Sequence, residues 1–119
     1  MDIEHIVRDY LRAHEHDAQY RTPATIEPGL VTVEAMSGSG SDRWVRAQVV
    51  NMECWHESRG KANALAEAVY HDLLSGLAGG LGVTGVEPDT APHPFDDPDM
   101  LPRLHRAECS VLVYLNESR

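Results

Sequence analysis

The sequence predicts an α+β fold, in which a mainly antiparallel sheet of about four strands carries two helices packed on one face. Strand-like segments rich in β-branched residues and segments with helical apolar spacing follow one another in the order helix, two strands, helix, two strands. The 119 residues, 42% of them hydrophobic, suffice for one core. We therefore expect a single domain spanning residues 1–119.

Two segments have the spacing of amphipathic helices. The first follows Asp2, a potential cap, and its apolar stripe consists of Ile3, Ile6, Val7, Tyr10 and Leu11. The second runs from Ala62 to Leu74 after a potential cap at Ser58 and has the clearest helical periodicity in the chain. Glycines from Gly76 onward are expected to end it.

Four segments read as strands. Residues 30–36 and 43–55 are predicted to form a hairpin around a glycine- and serine-rich loop at 37–42. Neither face of 43–55 is cleanly polar, so both faces are expected to be covered over part of its length. Residues 82–86 form a weak strand, and 104–115 alternate, with an apolar set of His105, Ala107, Cys109, Val111, Val113 and Leu115.

The segment from Pro88 to Pro102 holds five of the seven prolines and several aspartates. Proline lacks the N–H that helix and sheet interiors require. We expect a long surface loop here, and such loops in small domains are usually functional or ordered by a partner.

The charge excludes several functions. A formal charge of -9, from 19 acidic and 10 basic residues, argues against gripping DNA and against binding an anionic membrane. The N-terminal residues show no signal-peptide pattern, and no apolar run approaches the length of a spanning helix, so the protein is expected to stay in the cytosol where it is made. Cys54 and Cys109 are then expected to be reduced, unpaired and buried.

No group of residues has the spacing of a catalytic or metal site. His14–Asp17 is not an HExxH motif and is interpreted as solvated residues at a helix end. Asp96–Asp99 lacks the glycine and distant glutamate of an EF-hand, and Ser37, Ser39 and Ser41 lie outside any nucleophile elbow or phosphate loop. We expect no catalysis, cofactor or metal.

Trp44 and Trp55 bracket the longest predicted strand. Core packing is expected for at least one of them, but tryptophan and arginine are also common at the centres of protein interfaces. About 13 extended residues span roughly 43 Å, more than a domain of this size requires, so part of the strand or its loop should overhang. The candidate subunit or partner interface consists of Arg43, Trp44, Trp55 and Phe95.

The order of elements over nearly the whole chain resembles the tail terminator (tail completion, lambda-type minor tail) proteins of long-tailed bacteriophages. The residues that carry the resemblance are the strand ending at 49–55, the helix at 62–69 and the terminal strand at 109–114. The resemblance implies a hexameric ring that closes the tail tube and meets the head connector in the virion, without catalytic residues or cofactor. By position, the loops at 37–41 and 88–102 would be the contact segments.

The charge and the resemblance together predict a ring, formed in solution or only on the tail, whose acidic lumen lets DNA pass without binding it. Two alternatives stay open: a head-tail connector or stopper protein, and a small metal- or ligand-binding domain that could be enzymatic. Neighbouring genes for a tail tube protein and a head connector would favour the phage interpretation.

Overall fold

The computed structural model describes residues 3–20, 22–36, 39–41, 45–79 and 82–116. Its two helices are α1 (Ile3–Ala13) and α2 (Arg59–Gly76). Its strands are β1 (Asp17–Gln19), β2 (Leu30–Ala35), β3 (Ser39–Ser41), β4 (Val45–His56), β5 (Val83–Pro94) and β6 (His105–Asn116). The α+β class is confirmed.

The sheet is mixed and has more strands than expected. Its order is β1-β2-β4-β6-β5, with β3 paired to β4 in addition. The β1–β2 pairing is parallel and the other pairings are antiparallel, so the prediction of about four antiparallel strands was incomplete. A three-residue strand containing Asp17 and Gln19 has too little β-branched character to be recognised in a sequence.

Two predicted loops contain strands. Within 37–42, Ser39–Ser41 pairs with β4, so the hairpin extends further than its glycine and serine content suggested. The segment predicted as a loop at 88–102 is a strand as far as Pro94, where β5 ends, and is a loop only after that residue. β5 lies at the edge of the sheet, so its prolines need no second hydrogen-bonding neighbour, and two of its three register irregularities lie at Pro88 and around Pro92.

The main core lies between the helices and one face of the sheet. α1 buries Ile3, Ile6, Val7 and Leu11, and α2 buries Ala62, Ala66, Val69 and Leu73. These side chains join alternate residues of the central strands in one cluster, among them Met52, Cys109 and Val111. The expected apolar face of the last strand is confirmed for five of its six residues; His105 is half-buried outside this cluster.

The ends of the helices are fixed by specific contacts. The Ser58 hydroxyl accepts a hydrogen bond from the Lys61 N–H at 3.2 Å, which confirms the predicted cap of α2. The Tyr10 hydroxyl donates to the carbonyl of Asp72 at 3.0 Å, and His16 Nε2 lies 2.7 Å from the Asp72 carboxylate. His16 is only 12% exposed, so the interpretation of 14–17 as fully solvated was wrong at this residue.

Candidate interaction surfaces

The face of the sheet opposite the helices has no helix over it in the described part of the chain. We call this surface the open face. Since successive side chains of a strand alternate between faces, it includes Thr32, Glu34, Val49, Asn51, Glu53, Trp55, Glu87, Asp89, Thr90, His93, Arg106, Glu108, Ser110, Leu112 and Tyr114. Five of these residues are acidic and one, Arg106, is a lysine or arginine, so the open face carries a net negative charge.

Two glutamates lie directly opposite each other at the centre of the open face. Glu53 of β4 pairs in register with Glu108 of β6, and both side chains are mostly buried. Partial burial, a hydrogen bond with Glu53 and the charge of Glu53 raise the pKa of Glu108. The Arg106 guanidinium nitrogens lie 3.6 Å from the Glu53 carboxylate and 3.9 Å from the Glu108 carboxylate, so one guanidinium forms ion pairs with both.

The same arginine lies between two aromatic rings. Its guanidinium carbon is 5.1 Å from the centre of the Trp55 ring and 5.0 Å from that of Phe95, within cation–π range. Arg106 Nε also donates to the Phe95 carbonyl at 2.7 Å. Trp55 and Phe95, two of the four residues predicted at an interface, therefore both contact Arg106, which was not predicted there.

The two aromatic residues differ in exposure. Trp55 is 2% exposed and packs in a second core cluster with Ile26, Leu30 and Leu104. Phe95 is 51% exposed. In the folded chain, therefore, Trp55 is part of the second core cluster, whereas the Phe95 ring is accessible to a partner. Arg43 and Trp44, the other two candidates, lie outside the described residues.

The loop after β5 is held in place by one backbone and one side-chain hydrogen bond to the backbone of β6. The Phe95 N–H donates to the Arg106 carbonyl at 2.8 Å, and the Arg106 N–H donates to the Asp96 carboxylate at 3.0 Å. We call residues 95–99 the acidic loop, since they combine Phe95 with Asp96, Asp97 and Asp99. Asp97 accepts from the Asp99 N–H at 3.0 Å, which shapes the turn.

A groove of about 450 Å³ lies at the opposite edge of the sheet, beside α1 and β1. It is lined by Arg8, Arg12, Gln19, Tyr20, Thr22 and Pro23, and we call it the arginine groove. The Arg8 guanidinium stacks 4.2 Å from the centre of the Tyr20 ring, and Arg12 Nε donates to the Ala18 carbonyl at 2.8 Å. Both charged residues that line the groove are arginines.

In the part of the chain that the structure describes, potential metal ligands are dispersed and both thiols are buried. Within the described ranges, no three His, Cys, Asp or Glu side chains are grouped so as to hold a metal ion. The cysteines are free and buried, as expected. Burial raises the pKa of the Cys109 thiol to about 12 and that of Cys54 well above its ordinary value, which makes both poor nucleophiles.

The sequence contained part of the signal for this surface. Alternation in the last strand separates Arg106 and Glu108 from the apolar set, so their common face was predictable. The pairing of Glu108 with Glu53 depends on the register between strands that are more than 50 residues apart, and no local pattern specifies it.

No protein-family model matches this sequence, and no curated protein is significantly similar to it. Neither of the helices described has the length and apolarity required to cross a bilayer.

Proposed function

We propose that the protein is a structural component of a bacteriophage virion, related to the tail terminators. In this proposal it forms a hexameric ring that closes the tail tube and joins it to the head connector. It is made in the host cytoplasm and located at the head–tail interface of the virion. DNA passes through the ring without being bound.

The observation that carries this proposal is the acidic open face. Glu34, Glu87 and Asp89 are exposed there. Arg106, the one arginine among the described residues of this face, already pairs with Glu53 and Glu108. A wall of like charge keeps the phosphates of passing DNA from adhering, at an electrostatic cost that salt screens beyond about 8 Å. A surface that bound DNA would instead need clustered lysine or arginine.

The protected edges of the sheet also support a discrete assembly. β5 contains Pro88, Pro92 and Pro94, which cannot donate backbone hydrogen bonds to a neighbouring strand, and β1 has three residues. Open-ended strand pairing between copies is thereby discouraged. Contacts through side chains and loops at a fixed rotation can close into a ring.

The test of this function combines DNA binding with imaging. In a mobility-shift assay at low and physiological salt, the protein should not retain duplex DNA. The matched control is the triple variant Glu34→Lys, Glu87→Lys, Asp89→Lys, which should gain salt-sensitive binding because it reverses the exposed charge of the open face.

Electron microscopy of the protein on assembled tail tubes should then reveal a ring at one end. Tight binding of duplex DNA by the unmodified protein, lost as salt rises, would contradict the proposal. So would tails that carry the protein without a ring. A monomer in free solution is compatible with it, because the tube can template closure.

A further inference from the structure

We propose that neighbouring copies contact each other head to tail, with the acidic loop of one copy seated in the arginine groove of the next. This inference rests on the proposed ring, since a ring needs two different, complementary patches on every subunit. The two patches are the acidic loop and the arginine groove, and the occupant of the groove is a second copy of the chain.

The acidic loop has the composition of an inserted segment. Phe95 exposes half of its surface beside Asp97 and Asp99, and residues 82–104 contain five acidic residues but only Arg103 as a lysine or arginine. The start of the loop is nevertheless fixed by hydrogen bonds that join the Phe95 N–H and the Asp96 carboxylate to the backbone of Arg106. An ordered, exposed aromatic residue loses little conformational entropy when it is buried at an interface.

The arginine groove has the complementary chemistry. Arg12 supplies positive charge, Arg8 adds a guanidinium that also pairs with Asp9 at 3.1 Å, and Pro23 and Tyr20, whose ring stacks with Arg8, supply apolar surface. Arg12 is exposed and its Nε donates to the neutral backbone carbonyl of Ala18, so an incoming carboxylate can reach its charge. An aromatic side chain flanked by aspartates therefore matches both properties of the groove.

The positions of the two patches favour a chain of contacts over a symmetric dimer. The groove lies at the β1 edge, and the acidic loop follows β5, the strand at the other edge, and bonds to Arg106 of the neighbouring β6. Four interstrand spacings of about 4.8 Å place roughly 19 Å between these edges. A copy bound at one edge leaves the other edge open for the next copy. In a closed ring of such copies, one face of each sheet points toward the lumen and the other points outward.

The inference can be tested by site-specific crosslinking of the full chain. The double variant Thr22→Cys, Pro98→Cys places one thiol in the groove and one in the loop without removing a charge, and Cys54 and Cys109 are buried. A short bis-maleimide should give a ladder of covalent oligomers on denaturing gels. Mixing the two single variants should give a dimer, and each single variant alone should remain a monomer.

Charge reversal provides the specificity control. Adding Arg8→Glu and Arg12→Glu should lower the crosslinking yield by about tenfold or more, and adding Asp97→Lys and Asp99→Lys to the same chain should restore it. Reversing Arg59 and Lys61, exposed cations outside the groove, should leave the yield unchanged. Thermal melts of each variant establish that it is folded.

Failure of the inference is distinguishable from failure of the function. Equal crosslinking of double and single variants, or a yield insensitive to the Arg8 and Arg12 reversals, would overturn the contact even if tails carry a ring. A ladder with the expected charge dependence, together with tails that have no ring, would support the contact and contradict the role in the virion.

Discussion

The two faces of the central strands differ sharply although they alternate residue by residue. On the helix side, Met52 and Cys109 face each other in register and are completely buried. On the open side, the next pair is Glu53 and Glu108, two like charges with one shared arginine. The first face stabilises the fold, whereas the like charges that lie opposite each other on the second reduce its stability.

The largest expected effect comes from placing a charge on the helix side. Val69→Asp should lower the free energy of unfolding by about 4 kcal/mol or more, because Val69 is completely buried between α2 and the sheet. Urea denaturation monitored by circular dichroism measures this. Ala68→Asp, on the exposed side of the same helix, is the control and should change stability by less than about 1 kcal/mol. Equal stability of both variants would mean that this face of α2 is not in the core.

The next effect tests whether the second cluster supports the acidic loop. Trp55→Ala should cost about 3 to 5 kcal/mol, since it leaves a cavity among Ile26, Leu30 and Leu104. It should also speed amide hydrogen exchange at Phe95, whose N–H bonds to the carbonyl of Arg106, the residue of β6 directly opposite Trp55. Phe95→Ala, which removes an exposed ring, should cost about 1 kcal/mol or less. Unchanged amide hydrogen exchange at Phe95 in the Trp55 variant would show that the second core cluster does not support the acidic loop.

The smallest effect concerns the paired glutamates. Glu108→Gln should raise stability at pH 7 by a few tenths to about 1 kcal/mol, because it removes one of two like charges that lie directly opposite. Glu67→Gln, exposed on α2, is the control and should have little effect.

The pH dependence has a definite sign. Because the folded-state pKa of Glu108 is raised, its protonated form is favoured by folding at low pH, and this contribution is lost as pH rises through the raised pKa. The stability gain of Glu108→Gln should therefore be largest near neutral pH and diminish on acidification. A gain that grows on acidification would contradict the assigned cause.

The helix side was largely predictable from the sequence, whereas on the open side only the common face of Arg106 and Glu108 was. The stripe of Val69 and Leu73, the Ser58 cap and the apolar set of β6 follow from spacing within one element. The short parallel β1, the extension of β5 through its prolines and the Glu53–Glu108 pairing depend on contacts between distant segments. Arg106 is the clearest case, since its partners come from β4, β6 and the acidic loop.

The most direct test of the central claim is a cryo-electron microscopy reconstruction of the protein on assembled tail tubes. We predict a closed ring in which the open face, with Glu34 and Glu87, lines the lumen and opposite edges of the sheet meet between subunits. A reconstruction without a ring, or with α2 lining the lumen and the acidic face turned outward, would contradict the account.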